Sequence, residues 1–225
     1  MTDLELAIFL HSNYYDLEKT KVCIDKYFTI RTDMPEVFGN RDVLQAVNAE
    51  QGKFAMFAEL PQRHKGNRIV ALALQPVDDL SSMVSSRLAF MGLAMMDVLI
   101  RNWPICPGYV FIMDARNLRF GHIFKTSISM LRKIAIYTQE AEPIRMKEVH
   151  VINMNYLGEK ILFLLKPFLG KELQKVLHFH SGAMEAFYEA FPKDVLPQEF
   201  GGTSGLLLDY HSQSKSIAVR IYFKN

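Results

Sequence analysis

Residues 109–114 read Tyr-Val-Phe-Ile-Met-Asp. Successive side chains on a strand point to opposite faces. Tyr109, Phe111 and Met113 therefore share one side, and Val110 and Ile112 the other. Both sides are apolar, as in a strand covered above and below within a helix-layered parallel sheet. Two similar runs flank it. Arg68–Leu74 contains Ile-Val-Ala-Leu-Ala-Leu, and Glu148–Ile152 reads Glu-Val-His-Val-Ile. Helical spacing fills the gaps. Ser81 or Ser82 is placed to cap a helix carrying Val84, Leu88, Met91, Met95 and Val98 on one face. A second helix, across 125–141, aligns Ile128, Leu131, Ile134 and Ala135; others fall at 156–168 and 183–190. Strands alternating with such helices predict crossover connections and an α/β fold: a mixed, mainly parallel sheet covered by helices.

Upstream, residues 4–31 read as two helices. Asp16 caps the second, where Leu17, Thr20, Ile24, Tyr27 and Phe28 repeat at helical spacing. These form a small N-terminal helical annex, residues 1–55, before a main domain at 56–225. Pro35, Gly39, Gly52, Pro61 and Gly66 punctuate the join. At the other end Ile217, Val219, Ile221 and Phe223 alternate with polar or small residues. That predicts a half-buried strand over 216–223, able to extend the sheet or pair with another chain.

With 49% hydrophobic residues and a net charge of +2, the 225-residue chain has an ordinary globular balance. It lacks the basic excess that phosphate neutralisation demands, which argues against nucleic acid as a partner. Cys23 and Cys106 lie far apart in apolar surroundings and read as buried free thiols in a reducing, cytoplasmic setting. Asp3 and Glu5 stand where a secretory signal would carry basic residues. The apolar run Ile161–Leu169 is broken by Lys166 and Pro167. It falls well short of the roughly 20 residues of a membrane span, so only transient membrane contact is expected.

No phosphate loop, dinucleotide turn or zinc-protease motif occurs. GGTSG at 201–205 lacks the glycine spacing of a nucleophile elbow. His178 and His180 would point the same way on a strand, a weak metal signal better read as a hydrogen-bonded pair. No catalytic residue, metal or cofactor is assigned, and an enzyme is not expected.

What stands out is surplus apolar surface. The helix after Ser82 has a second stripe, Phe90, Leu93, Ala94 and Met96. One stripe suffices to dock a helix on a sheet, so the second needs its own partner: another helix or a bound lipid. The helix at 156–168 carries five apolar residues in a row, Ile161 to Leu165, greasy on every side. It suits either a buried helix or a lid between an oily cavity and a membrane. Between 145 and 175, six basic residues face three acids, a balance suited to an anionic membrane surface.

Four segments in order resemble the CRAL-TRIO family, in its tocopherol- and retinaldehyde-carrying branch. They are FLHSNYYDLEKTKVCIDKYFTIRTDMPEVF at 9–38, IMDARNLRFGHIF at 112–124, EPIRMKEVHVIN at 142–153, and LLKPFLGKELQKVLHFHS at 164–181 leading to LPQEFGG at 196–202. The resemblance implies one hydrophobic cavity closed by a mobile gate helix, here about residues 154–176. Its wall would include Met91, Met95, Tyr109, Phe111, Met113, Phe120, Phe124, Ile134, Tyr137, Ile144, Met146, Val149, Leu165 and Leu169. Arg145 and Lys147 match positions that grip phosphoinositide headgroups at a membrane. The tail after Gly202 departs from the family by reading as strand where a helix is expected. The implied function is a cytoplasmic carrier that moves a hydrophobic lipid between membranes; a lipid-sensing adaptor without transfer activity is the alternative. Oligomeric state stays open.

Overall fold

The computed structural model describes residues 1–39, 50–182 and 184–223. The stretch 40–49, counted in the annex above, lies outside them. Five strands form one mixed sheet in the order β1 (Ala55–His64), β2 (Asn67–Leu74), β3 (Tyr109–Asp114), β4 (Met146–Ile152) and β5 (Leu177–His180). β1 and β2 pair antiparallel; every later pairing is parallel. Sequence reading finds β2, β3 and β4 but passes over β1, whose Pro61 looks like loop punctuation. An edge strand tolerates proline because one row of its N–H groups faces away from the sheet. Here the register slips between Glu59 and Arg63, around Pro61. Lys65 and Gly66 close the hairpin with φ of +49° and +80°, the positive pair that a two-residue primed turn needs.

The annex is α1 (Asp3–Ser12), α2 (Leu17–Thr32) and α3 (Pro35–Phe38). Thr2 and Glu5 form a capping box on α1, and the Asp16 side chain accepts from Lys19 N–H to cap α2. α4 (Ser85–Asn102) joins β2 to β3. It starts at Ser85 with no side-chain cap, not at Ser81 or Ser82. Asp79 takes both the N–H and the hydroxyl of Ser81 into a turn instead. α5 (Phe120–Lys125) and α6 (Ile128–Glu140) join β3 to β4. The next connection holds α7 (Tyr156–Leu165), a 3-10 turn over Lys166–Phe168, and α8 (Lys171–Val176). α9 (Glu185–Ala190) and α10 (Leu207–Phe223) complete the chain.

One sheet face packs Met56, Ala58, Ile69, Ala71, Val110 and Ile112 against Phe187, Phe191, Phe200 and Leu207. The other packs Phe57, Val70 and Tyr109 against Ala94, Met95, Val98 and Leu99 of α4. The second stripe of α4 divides: Ala94 and Met96 join the sheet-facing cluster, while Leu93, with Phe90 beside it, sits with Met34, Val37, Phe38, Met130 and Tyr137. For Leu93 the partner is another helix, α3. Arg31 fastens this joint. Its guanidinium donates to Asp97 at 2.6 Å and to the Tyr137 hydroxyl at 2.6 and 2.8 Å, and it lies 4.0 Å from the Tyr27 ring centre. Both cysteines are free and buried.

The tail overturns the strand expected over 216–223. It belongs to a helix whose buried positions are Leu207, Tyr210, His211, Ser214 and Ala218, a three-and-four spacing. The alternation of isoleucine and valine spans too few residues to outweigh that longer period. α10 lies along the free edge of β1. His211 Nδ1 is 3.2 Å from Phe57 N and 2.9 Å from Phe57 O, and the Ser214 hydroxyl accepts from Glu59 N–H. Side chains thus satisfy edge groups that another strand would otherwise seek.

Candidate functional site

Strand register gathers Leu72, Phe111, Met113, Val149, Val151, Leu177 and Phe179 on one face of the sheet. α4 covers its β1–β2 side. Toward β4 and β5 the cover thins, and Met113 and Phe179 are each 37% exposed. The surrounding helices leave more apolar surface in water: Phe120 is 61%, Phe163 75% and Phe124 84% exposed. Apolar surface gathered in this way marks a ligand or membrane contact.

The segment that would close this face is α7 with the turn and α8. It is held at two ends. At the first, Asn155 caps α7, its Oδ1 accepting from Leu157 and Gly158 N–H at 3.0 and 3.1 Å. Asn155 Nδ2 also donates to the Leu118 carbonyl at 2.9 Å. Buried Asp114, at the end of β3, accepts from Asn153 at 3.1 Å and pairs with Arg116 at 2.7 Å, fixing the chain just before α7. At the second end Gln139 of α6 acts as a clasp. Its Oε1 accepts from Gly170 N–H at 2.7 Å and its Nε2 donates to Phe168 O at 3.2 Å. The Arg132 guanidinium lies 4.9 Å from the Phe168 ring centre. Between these ends Gly158 is the one buried residue of α7, and α7 packs chiefly on the turn that follows it. An asparagine before an apolar run is a legible cap signal; the Gln139 clasp has no signature in sequence.

The structure does not unite the fourteen expected wall residues. Met95, Tyr109, Phe111 and Ile144 pack together under α4. Met91 is buried in the same helix. Tyr137 is fully buried beside Ile134 in the annex joint, its hydroxyl engaged by Arg31. Phe120 and Phe124 stack on each other in solvent. Exposed Met113 and buried Val149 share one sheet face, Met146 is half-buried at the start of β4, and Leu165 and Leu169 are half-buried near the clasp. Arg145 and Lys147 meet the annex. Arg145 Nε donates to His11 O at 2.8 Å and its guanidinium lies 4.1 Å from the Tyr14 ring centre; Lys147 donates to the Tyr14 hydroxyl at 2.7 Å.

The histidines lie on the opposite sheet face. His150 Nδ1 is 3.0 Å from His180 Nε2, and His150 Nε2 is 3.0 Å from Glu148 Oε2. The His178 ring stacks on His150. Burial pushes the His150 imidazole down to about 4, against the opposing pull of Glu148. Among the described residues, no group of three or more His, Cys, Asp or Glu could hold a metal ion. Gly201 and Gly202 fit a tight turn against Tyr188 and the Leu196 carbonyl, where a Cβ would collide. Nor is any helix of the described residues long and apolar enough to cross a membrane.

A mainly parallel sheet, an apolar face and a doubly anchored covering helix define a class. The chain belongs to the CRAL/TRIO domain family, whose model matches residues 60–202. It is a family of lipid-binding and lipid-transfer proteins. A second model, a Pinta-like UBA domain, matches residues 1–47. Among curated proteins, the chain is 22% identical to human alpha-tocopherol transfer protein-like over 214 residues, 92% of this chain and 60% of that protein. It is 30% identical to Xenopus laevis Clavesin-1 over 96 residues, 43% of this chain and 29% of that protein. The chain thus spans less than two thirds of the curated relatives it matches. The crystal structure of Sfh5 shares the fold, with a TM-score of 0.58 at 11% identity, over 99% of this chain and 80% of that one.

Proposed function

We propose that this chain is a cytoplasmic carrier that binds a hydrophobic lipid and moves it between membranes. The observation that supports this is the apolar sheet face that carries Phe111, Met113, Val149 and Phe179, of which Met113 and Phe179 remain 37% exposed, beside a helix anchored by the Asn155 cap and the Gln139 clasp. A lipid laid there, under Leu165 and Leu169 as the gate swings over, would replace water on these surfaces. Burying about 400 Å² of ligand apolar surface is worth about 10 kcal/mol before ordering costs. The exposed Phe124, Phe163 and Leu164 would enter the headgroup region of a membrane, favouring the open gate by binding it better. Lys160, Lys166 and Lys171 border them and complement anionic lipid. Arg145 and Lys147 stand against the annex, and a phosphoinositide headgroup reaching them would displace the Tyr14 ring. Chemistry on the ligand forms no part of this reading.

The test is mass spectrometry of an organic extract of the purified protein, followed by vesicle-to-vesicle transfer of the lipid found. Leu165→Asp should abolish lipid retention while circular dichroism stays unchanged. Full retention in that variant would refute the proposed wall.

A further inference from the structure

α8 runs without a break into β5, so the downstream end of the covering segment is tied to the sheet through four residues, Leu177–His180. β5 is an edge strand paired with β4. Strand parity puts Leu177 and Phe179 on the apolar face and His178 and His180 on the other. On that other face they meet His150 of β4, which is 4% exposed.

His150 Nε2 lies 3.0 Å from Glu148 Oε2, and His150 Nδ1 lies 3.0 Å from His180 Nε2. From the β1–β2 turn, Lys65 pairs with the same carboxylate at 3.0 Å, and His64 Nε2 comes to 3.7 Å of it. Against the burial that raises it, hydrogen bonds from Lys65 and His150 hold the Glu148 carboxyl below its ordinary range. A carboxylate only accepts, so His150 Nε2 carries a hydrogen. Neutral His150 then has a bare Nδ1, which accepts from His180 Nε2–H. One added proton keeps that bond with donor and acceptor exchanged. A second sets N–H against N–H at 3.0 Å. The His178 ring stacks on His150 with 4.7 Å between centres, so a third imidazole crowds the pair. β3 presents Ile112 to His150, and α9 presents Phe187 and Phe191, none of which titrates.

We propose that this cluster is an acid-sensitive latch on β5. Docked, the His150–His180 pair holds a single proton at most; undocked, each ring takes its own. Acid therefore frees the strand and, with it, the end of the covering segment. Burial first, then the neighbouring His178 and His180, brings the His150 imidazole from 6.5 down to about 4, against the pull of Glu148. Burial and then His178 lower His180 as well. A lowered imidazole favours the docked form while it stays neutral. Docking is therefore at full strength above pH 6.5 and weakens as pH falls toward about 4. Each extra proton taken up on undocking raises the undocked fraction about tenfold per pH unit. Lipid release through this loosening rests on the carrier reading; the strand's own response to acid does not.

Hydrogen exchange of the full chain at pH 7.5, 6.5 and 5.5 measures local opening, read by mass spectrometry and corrected for the exchange rate of unstructured peptide. Protection of residues 171–182 should fall about tenfold from pH 6.5 to 5.5, while that of 68–74 and 109–114 holds. His180→Gln offers His150 an amide N–H that does not titrate, and should cut the fall to about threefold. The double variant His150→Leu/His180→Gln should remove it. Thermal midpoints at pH 7.5 identify which variants are folded. Three results overturn the proposal: protection of 171–182 that stays level across the range, that falls in step with 68–74 and 109–114, or that keeps its full fall in a folded variant.

Discussion

Replacing Glu142 by glutamine should make the protein more stable at neutral and alkaline pH and remove much of its pH dependence. Glu142 follows α6 and is 6% exposed, with an Oε1 that has no hydrogen-bond partner. Burial first, and then the nearby Asp97 carboxylate, push its carboxyl from 4.5 up to about 8, against the pull of Arg31. Between those two values the folded chain keeps a proton that the unfolded chain has released. Stability is therefore full below pH 4.5 and falls as pH rises through the window to about 8. The slope is about 1.4 kcal/mol per pH unit, so the whole window is worth about 5 kcal/mol. Glutamine keeps the shape of the neutral acid and does not titrate. Urea unfolding of both proteins at pH 5, 6, 7 and 8 measures the difference. Glu142→Gln should gain about 3 kcal/mol over the wild type by pH 7, with nearly equal stability at pH 4.5. Parallel curves across the range, or a variant less stable at pH 8, would refute the reasoning.

Arg31→Met leaves Asp97 and the Tyr137 hydroxyl without their cation and should cost about 3 kcal/mol in urea unfolding. Gln139→Ala removes both hydrogen bonds of the clasp, to Gly170 N–H and Phe168 O, worth about 1 kcal/mol each; limited proteolysis within 154–176 should quicken about tenfold while the global midpoint stays put. Phe163→Ser should weaken sedimentation with anionic vesicles several-fold and leave thermal stability unchanged, since that ring is 75% exposed.

Strands buried on both faces announce themselves, and so β2, β3 and β4 were readable from residue order alone. The Asp16 cap was readable for the same kind of reason: capping is local, and its residues are neighbours in sequence. β1 was not, because Pro61 signals a loop unless one knows that the strand lies at an edge. The tail misled because Ile217 and Val219 alternate over a short window, whereas its helical period runs through Tyr210, His211 and Ser214, which carry polar atoms and do not look like core. The segment expected to act as a gate stands out in the sequence by its greasiness. Its clasp does not, since Gln139 and Gly170 are 31 positions apart and nothing in either residue names the other. The wall positions fared unevenly for a related reason. Facing direction along one strand is fixed by parity, as for Phe111 and Met113, but whether Tyr137 faces a cavity or Arg31 depends on how the annex docks.

The way α10 runs beside β1 has a bearing on how such a molecule stays dispersed. A protein that keeps greasy rings in water invites association, and an unclaimed rank of amide hydrogens would offer incoming chains a template. With His211 and Ser214 occupying that rank, the backbone on this flank cannot nucleate a growing β-ribbon. On this flank, association is left to apolar side chains, whose contacts are non-directional.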